Sequence, residues 1–170
     1  MSNFFKNSEI DISKAEKIVS ETLKNCDDGE LYLEDTKSEV IVLDDNKIKS
    51  SDYSTDLGYG FRAVTGEIIA YSHSNEISEK SLVNSSQNLK SSLKNKKGTY
   101  NYEIKNTNQK FYGDTDPVEE KSLKSKIDIL NEINSYARSK DSSVKQVTAN
   151  FIGEKKNVEI LRAGGQLLKD

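Results

Sequence analysis

The chain has 170 residues, of which 34% are hydrophobic and 31% charged, and carries a formal net charge of -3. That length suits one domain spanning residues 1–170, since domains usually run to about 100–200 residues. The acidic balance, with a pI of 5.4, argues against a nucleic-acid partner, because such binding leans on Lys and Arg to neutralise phosphates.

The apolar residues fall in periodic blocks, which points to a modest core and not to disorder. A single cysteine, Cys26, cannot form an internal disulfide, and the polar start MSNFFKNSEI lacks the apolar run of a secretory signal or a membrane span. A cytoplasmic protein without a membrane partner is the expectation. Lys94, Lys96 and Lys97 beside Gly98 read as a solvated connector.

Ser13 with Glu16 three residues on forms a capping-box pattern, and Ala15, Ile18, Val19, Thr22 and Leu23 recur at helical spacing, predicting a helix that ends near Asn25. Leu31-Tyr32-Leu33 alternates as a strand, and Val40-Ile41-Val42-Leu43 reads as a second strand, apolar on both faces. Asp44-Asp45-Asn46 tolerates a tight turn, after which Lys47 to Tyr53 should return as a solvated strand anchored by Ile48. Tyr59–Val64 and Ile68–Tyr71 form a further hairpin across Thr65-Gly66.

Ser78 opens a second helix with an inward stripe of Leu82, Ser86, Leu89 and Leu93. The polar stretch Asn95 to Thr115, with Tyr100, Tyr102, Phe111 and Tyr112, reads as a long connection pinned by rings. Asp116 as N-cap and Pro117 at the first helical position predict a third helix, buried through Leu123, Ile127, Leu130, Ile133 and Ala137. Val147–Phe151, a turn at Gly153 to Asn157, and Val158–Leu161 make a last hairpin, expected to leave an open edge prone to self-pairing. The fold class is therefore α+β: a largely antiparallel sheet with about three helices packed on it.

Hydrolytic metal sites need about three protein ligands and an open position for water. One histidine, His73, and one cysteine, Cys26, fall short of that, so no residue is assigned as a metal ligand. A serine nucleophile lacks both a Gly-x-Ser-x-Gly elbow and a partner imidazole. The acidic pairs Asp27-Asp28, Asp44-Asp45 and Glu119-Glu120 sit at turns and a helix start, where hydration and capping explain them; no catalytic residue is assigned.

The densest run of unusual residues is Asp56 to Glu67. Gly58 and Gly60 remove two side chains from one strand face, allowing another backbone, ring or ligand to approach. Two readings stay open: packing of the glycines against a helix, or a substrate or partner surface formed by Gly58, Gly60 and Arg62. A phosphate loop is excluded, because no glycine pattern here opens a helix.

The segment Gly58-Tyr59-Gly60-Phe61-Arg62-Ala63-Val64-Thr65-Gly66-Glu67 resembles the Gly-Val-Gly-Val-Arg-Ala-x-Ser-Gly-Glu stretch of the TldD metalloproteases, in the TldD/PmbA family. Asp28-Gly29-Glu30-Leu31-Tyr32 and Val42 to Lys49 are similar to further family segments, as are Ala70 to Ser78, Lys126 to Leu130 and Val147 to Asn150. Tyr59 and Phe61 are bulkier than the family's valines, and Ala163-Gly164-Gly165 stands where the family usually ends Asp-Gly.

The resemblance implies the amino-terminal, non-catalytic domain of a zinc metallopeptidase that cleaves unfolded peptides or modified peptide precursors, paired with a TldE/PmbA-type paralogue. By the same resemblance, the zinc is held by a His-Glu-x-x-x-His motif and a later cysteine, all expected beyond Asp170, so this segment should bind no zinc and be inactive alone. The alternative from another class is a stand-alone binding or assembly module.

Overall fold

In the computed structural model, which describes residues 4–5, 8–93, 96–99, 113 and 115–169, the elements run α1 (Ile12–Leu23), β1 (Asp28–Asp44), β2 (Lys47–Thr65), β3 (Ile68–Ser74), α2 (Glu79–Ser92), α3 (Leu123–Lys140), β4 (Thr148–Leu161) and β5 (Leu167–Lys169). The strands form one antiparallel sheet in the order β3-β2-β1-β4-β5, so the α+β class stands. Of the long connector, Tyr100, Tyr102, Phe111 and Tyr112 lie outside the described residues, as does Lys94; Lys96 and Lys97 are exposed.

Contacts group into two compact units. The first comprises Met1–Asp35, Asp56–Tyr112 and Asn157–Asp170, the second Thr36–Thr55 and Gly113–Lys156.

In the first unit, α1 is capped by Asp11, whose carboxylate accepts the Lys14 N–H at 2.9 Å. The cap is therefore two residues earlier than Ser13, which lies inside the helix. Ala15, Val19 and Leu23 line one face at helical spacing and are fully buried. Helix α2 begins where Ser78 predicts, with its Oγ accepting the Ser81 N–H at 3.1 Å, and buries Leu82, Ser86, Leu89 and Leu93. Thr22 on α1 and Ser86 on α2 share a buried hydroxyl hydrogen bond of 2.7 Å, which satisfies both groups away from water.

The two helices cover Leu31 and Leu33 of β1, Phe61 and Ala63 of β2, Ala70 of β3 and Leu161 of β4. Burying Phe61 alone is worth about 1.5–3 kcal/mol. The β2–β3 hairpin closes on Gly66 at φ +58°, with Thr65 opposite Ile68. Only glycine adopts that left-handed conformation without strain.

In the second unit, the β1–β2 hairpin turns on Asp45 and Asn46, both at positive φ (48° and 67°). Two successive left-handed residues fit the twist of a two-residue hairpin, and among residues with a side chain Asp and Asn tolerate them best. Ile41, Leu43 and Leu130 form a small core, with Ile127, Ala149 and Phe151 against it.

Several expectations are corrected here. Leu31–Leu33 and Val40–Leu43 belong to one 17-residue strand, and Lys47–Tyr53 and Tyr59–Val64 to one of 19 residues. Polar stretches such as Glu34–Glu39 stay extended because an interior strand is held by backbone pairing on both sides, whatever its side chains. Ile48 is exposed and anchors nothing.

Strand β4 continues without a break through Gly153 to Asn157, and a Cβ at Gly153 would meet Val118 and Phe151 only at ordinary contact distances of 3.6 and 3.7 Å. The turn falls at Gly164 and Gly165, both near φ +80°, and returns the chain as β5, which pairs Glu159, Ile160 and Leu161 with Lys169, Leu168 and Leu167. The expected open hairpin edge at Val158–Leu161 is thus occupied.

Helix α3 begins at Leu123 behind Ser122, not at Asp116. Asp116 caps a separate turn, accepting the N–H groups of Val118 and Glu119 at 3.0 and 3.2 Å. The buried face of α3 is also rotated: Lys126, Leu130 and Asn134 are inside, whereas Leu123 and Ile133 are each 48% exposed. Lys126 is drawn in by Glu39 and the Val118 carbonyl, and Asn134 by Asn46, whose Oδ1 accepts from Nδ2 at 2.6 Å.

Candidate functional site

Strand alternation decides what the first unit shows on the sheet face away from α1 and α2. With Phe61 and Ala63 pointing to the helices, Gly58, Gly60 and Arg62 share the outward face of β2. Pairing sets Tyr71 of β3 beside Arg62, and His73 beside Gly60.

Arg62 forms a fork on its neighbour strand. Its Nε donates to Glu30 Oε1 at 2.6 Å, and its Nη2 to Glu30 Oε2 at 2.8 Å and to Asp28 Oδ2 at 2.6 Å. Arg162 donates to the other oxygen of Asp28. Two carboxylates thus face two guanidiniums, and these hydrogen bonds raise the Arg62 pKa, with Glu30 the main cause. Arg62 is therefore a cross-strand clamp, with its Nε and Nη2 donors engaged by Glu30 and Asp28.

The glycines do not pack on a helix. A Cβ at Gly60 would collide with the ring of Tyr71, and one at Gly58 would lie 2.9 Å from the Ser74 carbonyl oxygen. The absent side chain at Gly60 makes room for Tyr71, which stacks on His73 with centroids 6.0 Å apart. Tyr71 and Ile69 remain 64% and 67% exposed. Nearby, Tyr32 is pushed up to about 12 by burial and by its 2.6 Å hydrogen bond to Glu34.

Partial burial raises the Asp28 pKa, but hydrogen bonds from Arg62 and the Gly29 N–H, with the charges of Arg162 and Arg62, outweigh it, so the carboxyl titrates below its ordinary range. A carboxyl depressed in the folded state adds stability that is present above its unfolded pKa of about 3.9 and is lost as pH falls through the folded value. The stability gap between the native chain and Asp28→Asn in urea unfolding is therefore expected to be widest at neutral pH and to close below about pH 4. A gap that stays constant down to about pH 2.5 would contradict the clamp.

The other acidic residues have similar local roles. Asp27 accepts the N–H groups of Gly66 at 2.7 Å and Thr99 at 2.9 Å, which depress its pKa. Asp44 accepts from Gln146 and Thr148, and Glu119 and Asp116 pair with Lys37.

Cys26 is buried in the core, donating to the Thr22 carbonyl at 3.7 Å, and burial pushes its thiol pKa up. A thiol so placed is a poor nucleophile or ligand. His73 lies exposed on the outward face of β3, so the chain's one imidazole and one thiol point to opposite sides of the sheet. Among the described residues, no three His, Cys, Asp or Glu side chains converge where an ion could sit. These residues do not fit a zinc centre. Among the same residues, no helix is long and apolar enough to cross a membrane.

Sequence reasoning singled out Gly58, Gly60 and Arg62 but missed what engages them. Asp28 and Glu30 sit two apart on β1, as one strand face requires, but the facing register was not legible without the hairpin. Arg162 is 134 residues from Asp28, and no local pattern links them.

Residues 29–94 match the family described as PmbA/TldA metallopeptidase domain 1. A metalloprotease TldD homolog of Buchnera aphidicola subsp. Acyrthosiphon pisum (strain APS) is 32% identical over 148 residues, covering 86% of this chain and 31% of that protein. The TldD homolog of Haemophilus influenzae (strain ATCC 51907 / DSM 11121 / KW20 / Rd) is 28% identical over 151 residues, covering 86% and 31%. The chain thus spans about a third of the length of the curated relatives it matches. In fold it is similar to TldE from Thermococcus kodakarensis, with a TM-score of 0.64 at 12% identity over 92% of this chain and 36% of that one. Its sequence carries the first-domain match over residues 29–94 and its fold is similar to that of TldE, so what the chain resembles is the amino-terminal domain of the TldD/PmbA metallopeptidase family.

Proposed function

We propose that this chain is the non-catalytic front domain of a TldD-type zinc metallopeptidase that acts in the cytoplasm on unfolded peptides or modified peptide precursors. The observation that carries this reading is the match of 86% of the chain to TldD homologs, in a segment whose only imidazole and only thiol face apart. Zinc, and the water it would activate, belong in this reading to parts of the parent protein outside residues 1–170. The similarity to a TldE structure supports a TldE/PmbA-type paralogue as partner.

What this chain supplies is, in its first unit, a sheet face cross-linked by Arg62, Asp28, Glu30 and Arg162. Incubating it with zinc and an unfolded peptide is expected to release no product. Time-dependent hydrolysis that a chelator stops would overturn the reading.

A further inference from the structure

One carboxylate gathers three stretches of the first unit. Asp27 lies between α1 and β1; its Oδ2 accepts the N–H of Gly66 in the β2–β3 turn, and its Oδ1 accepts that of Thr99, beyond α2. The backbone N–H of Asp27 donates to the Val64 carbonyl at 2.8 Å, which fixes the residue to the end of β2.

The chain after α2 comes this close because residue 98 is glycine. A Cβ at Gly98 would lie 2.5 Å from Asp27 Oδ1, 2.6 Å from its Cγ and 2.7 Å from its backbone nitrogen. Held by Val64, that nitrogen has no freedom to retreat, so any side chain at 98 must push residues 96–99 away. Gly98 also donates to the Asn25 carbonyl at 2.7 Å. Two adjoining backbone N–H groups, those of Gly98 and Thr99, thus tie this stretch to the turn that follows α1.

The tie is polar and lies at the surface. Lys96-Lys97-Gly98-Thr99 brings no apolar side chain to the core, and Asp27, Gly66 and Thr99 are all exposed. Helices α1 and α2 are held instead by Ala15, Val19, Leu82 and Leu89, all buried. Segments with few apolar contacts and solvent-exposed hydrogen bonds are those that open locally while the rest of a fold stays closed.

We propose that residues 96–99 form a strap latched by Asp27 and Gly98, which opens as a unit and leaves the sheet, α1 and α2 intact. The chain leaving α2 therefore has a docked state and a released one. Ionised Asp27 is the catch, because a carboxylate accepts both N–H groups more strongly than a neutral acceptor would.

The test is amide-resolved hydrogen exchange by NMR on the full chain at neutral pH, with and without low urea. In the unmodified chain Gly98 and Thr99 are expected to share one protection that low urea leaves unchanged, whereas Val19 and Leu89 lose protection as urea rises. Asp27→Ala is expected to speed exchange at Gly66, Gly98 and Thr99 by about tenfold or more. Gly98→Ala is expected to do the same at residues 98 and 99, while Gly66 stays protected by the carboxylate. The urea response of the unmodified chain decides the matter even where a variant does not fold. Thr99 exchange unaltered by Asp27→Ala, or Gly98 and Thr99 opening in step with Val19 as urea rises, would each overturn the proposal.

Discussion

Lys126→Ala is expected to destabilise the chain by about 3–5 kcal/mol, the penalty for leaving a buried charge without its partner. Lys126 is 1% exposed. Its ammonium donates to Glu39 Oε2 and to the Val118 carbonyl at 2.5 Å, and lies 5.6 Å from the centre of the Phe151 ring. Truncation removes the cation and strands a buried carboxylate and a carbonyl together.

The pair itself need not add net stability, because desolvating both charges offsets most of their attraction. Lys126→Met combined with Glu39→Leu should accordingly recover most of the loss. Urea unfolding followed by circular dichroism measures both variants; a loss under about 1 kcal/mol for Lys126→Ala would show that the charge pair is solvated after all.

The second large effect is expected at Gly29. A Cβ there would lie 2.5 Å from Leu23 Cδ2, 2.6 Å from the Arg62 carbonyl oxygen and 3.2 Å from Ala63 Cα. Leu23 is fully buried, and the other two obstacles are backbone of β2. Neither can give way without moving the strand that carries Arg62. Gly29→Ala is expected to cost about 3 kcal/mol, the upper end of ordinary overpacking.

Gly60→Ala makes the useful contrast. Its obstacle is the ring of Tyr71, which is largely exposed and free to swing, so a cost within about 1 kcal/mol is expected. Equal losses in the two variants, measured by the same urea unfolding, would mean that the backbone contact at Gly29 is not what governs the site.

The elements that could be read from the sequence were those whose signals are local. Helix α2 was legible in full because Ser78 and the stripe Leu82, Ser86, Leu89 and Leu93 act within one stretch of chain. The Asp45-Asn46 and Gly66 turns were legible because positive φ selects its residues.

Helix α3 was misread because its inward face holds Lys126 and Asn134, whose partners Glu39 and Asn46 lie 87 and 88 residues away. Hydrophobic periodicity counts such residues as outward. The sequence suggests a turn at Gly153 because glycine often marks a bend, but Gly153 is not among the glycines at positive φ and the strand runs on through it. At the candidate site, Arg62 was visible, but its commitment to Asp28 and Glu30 depended on strand register.

On the proposed reading, this domain holds no metal centre of its own. A calorimetric zinc titration of the folded chain is the decisive check. No stoichiometric binding is expected; one zinc per chain, lost in either His73→Ala or Cys26→Ser, would contradict it.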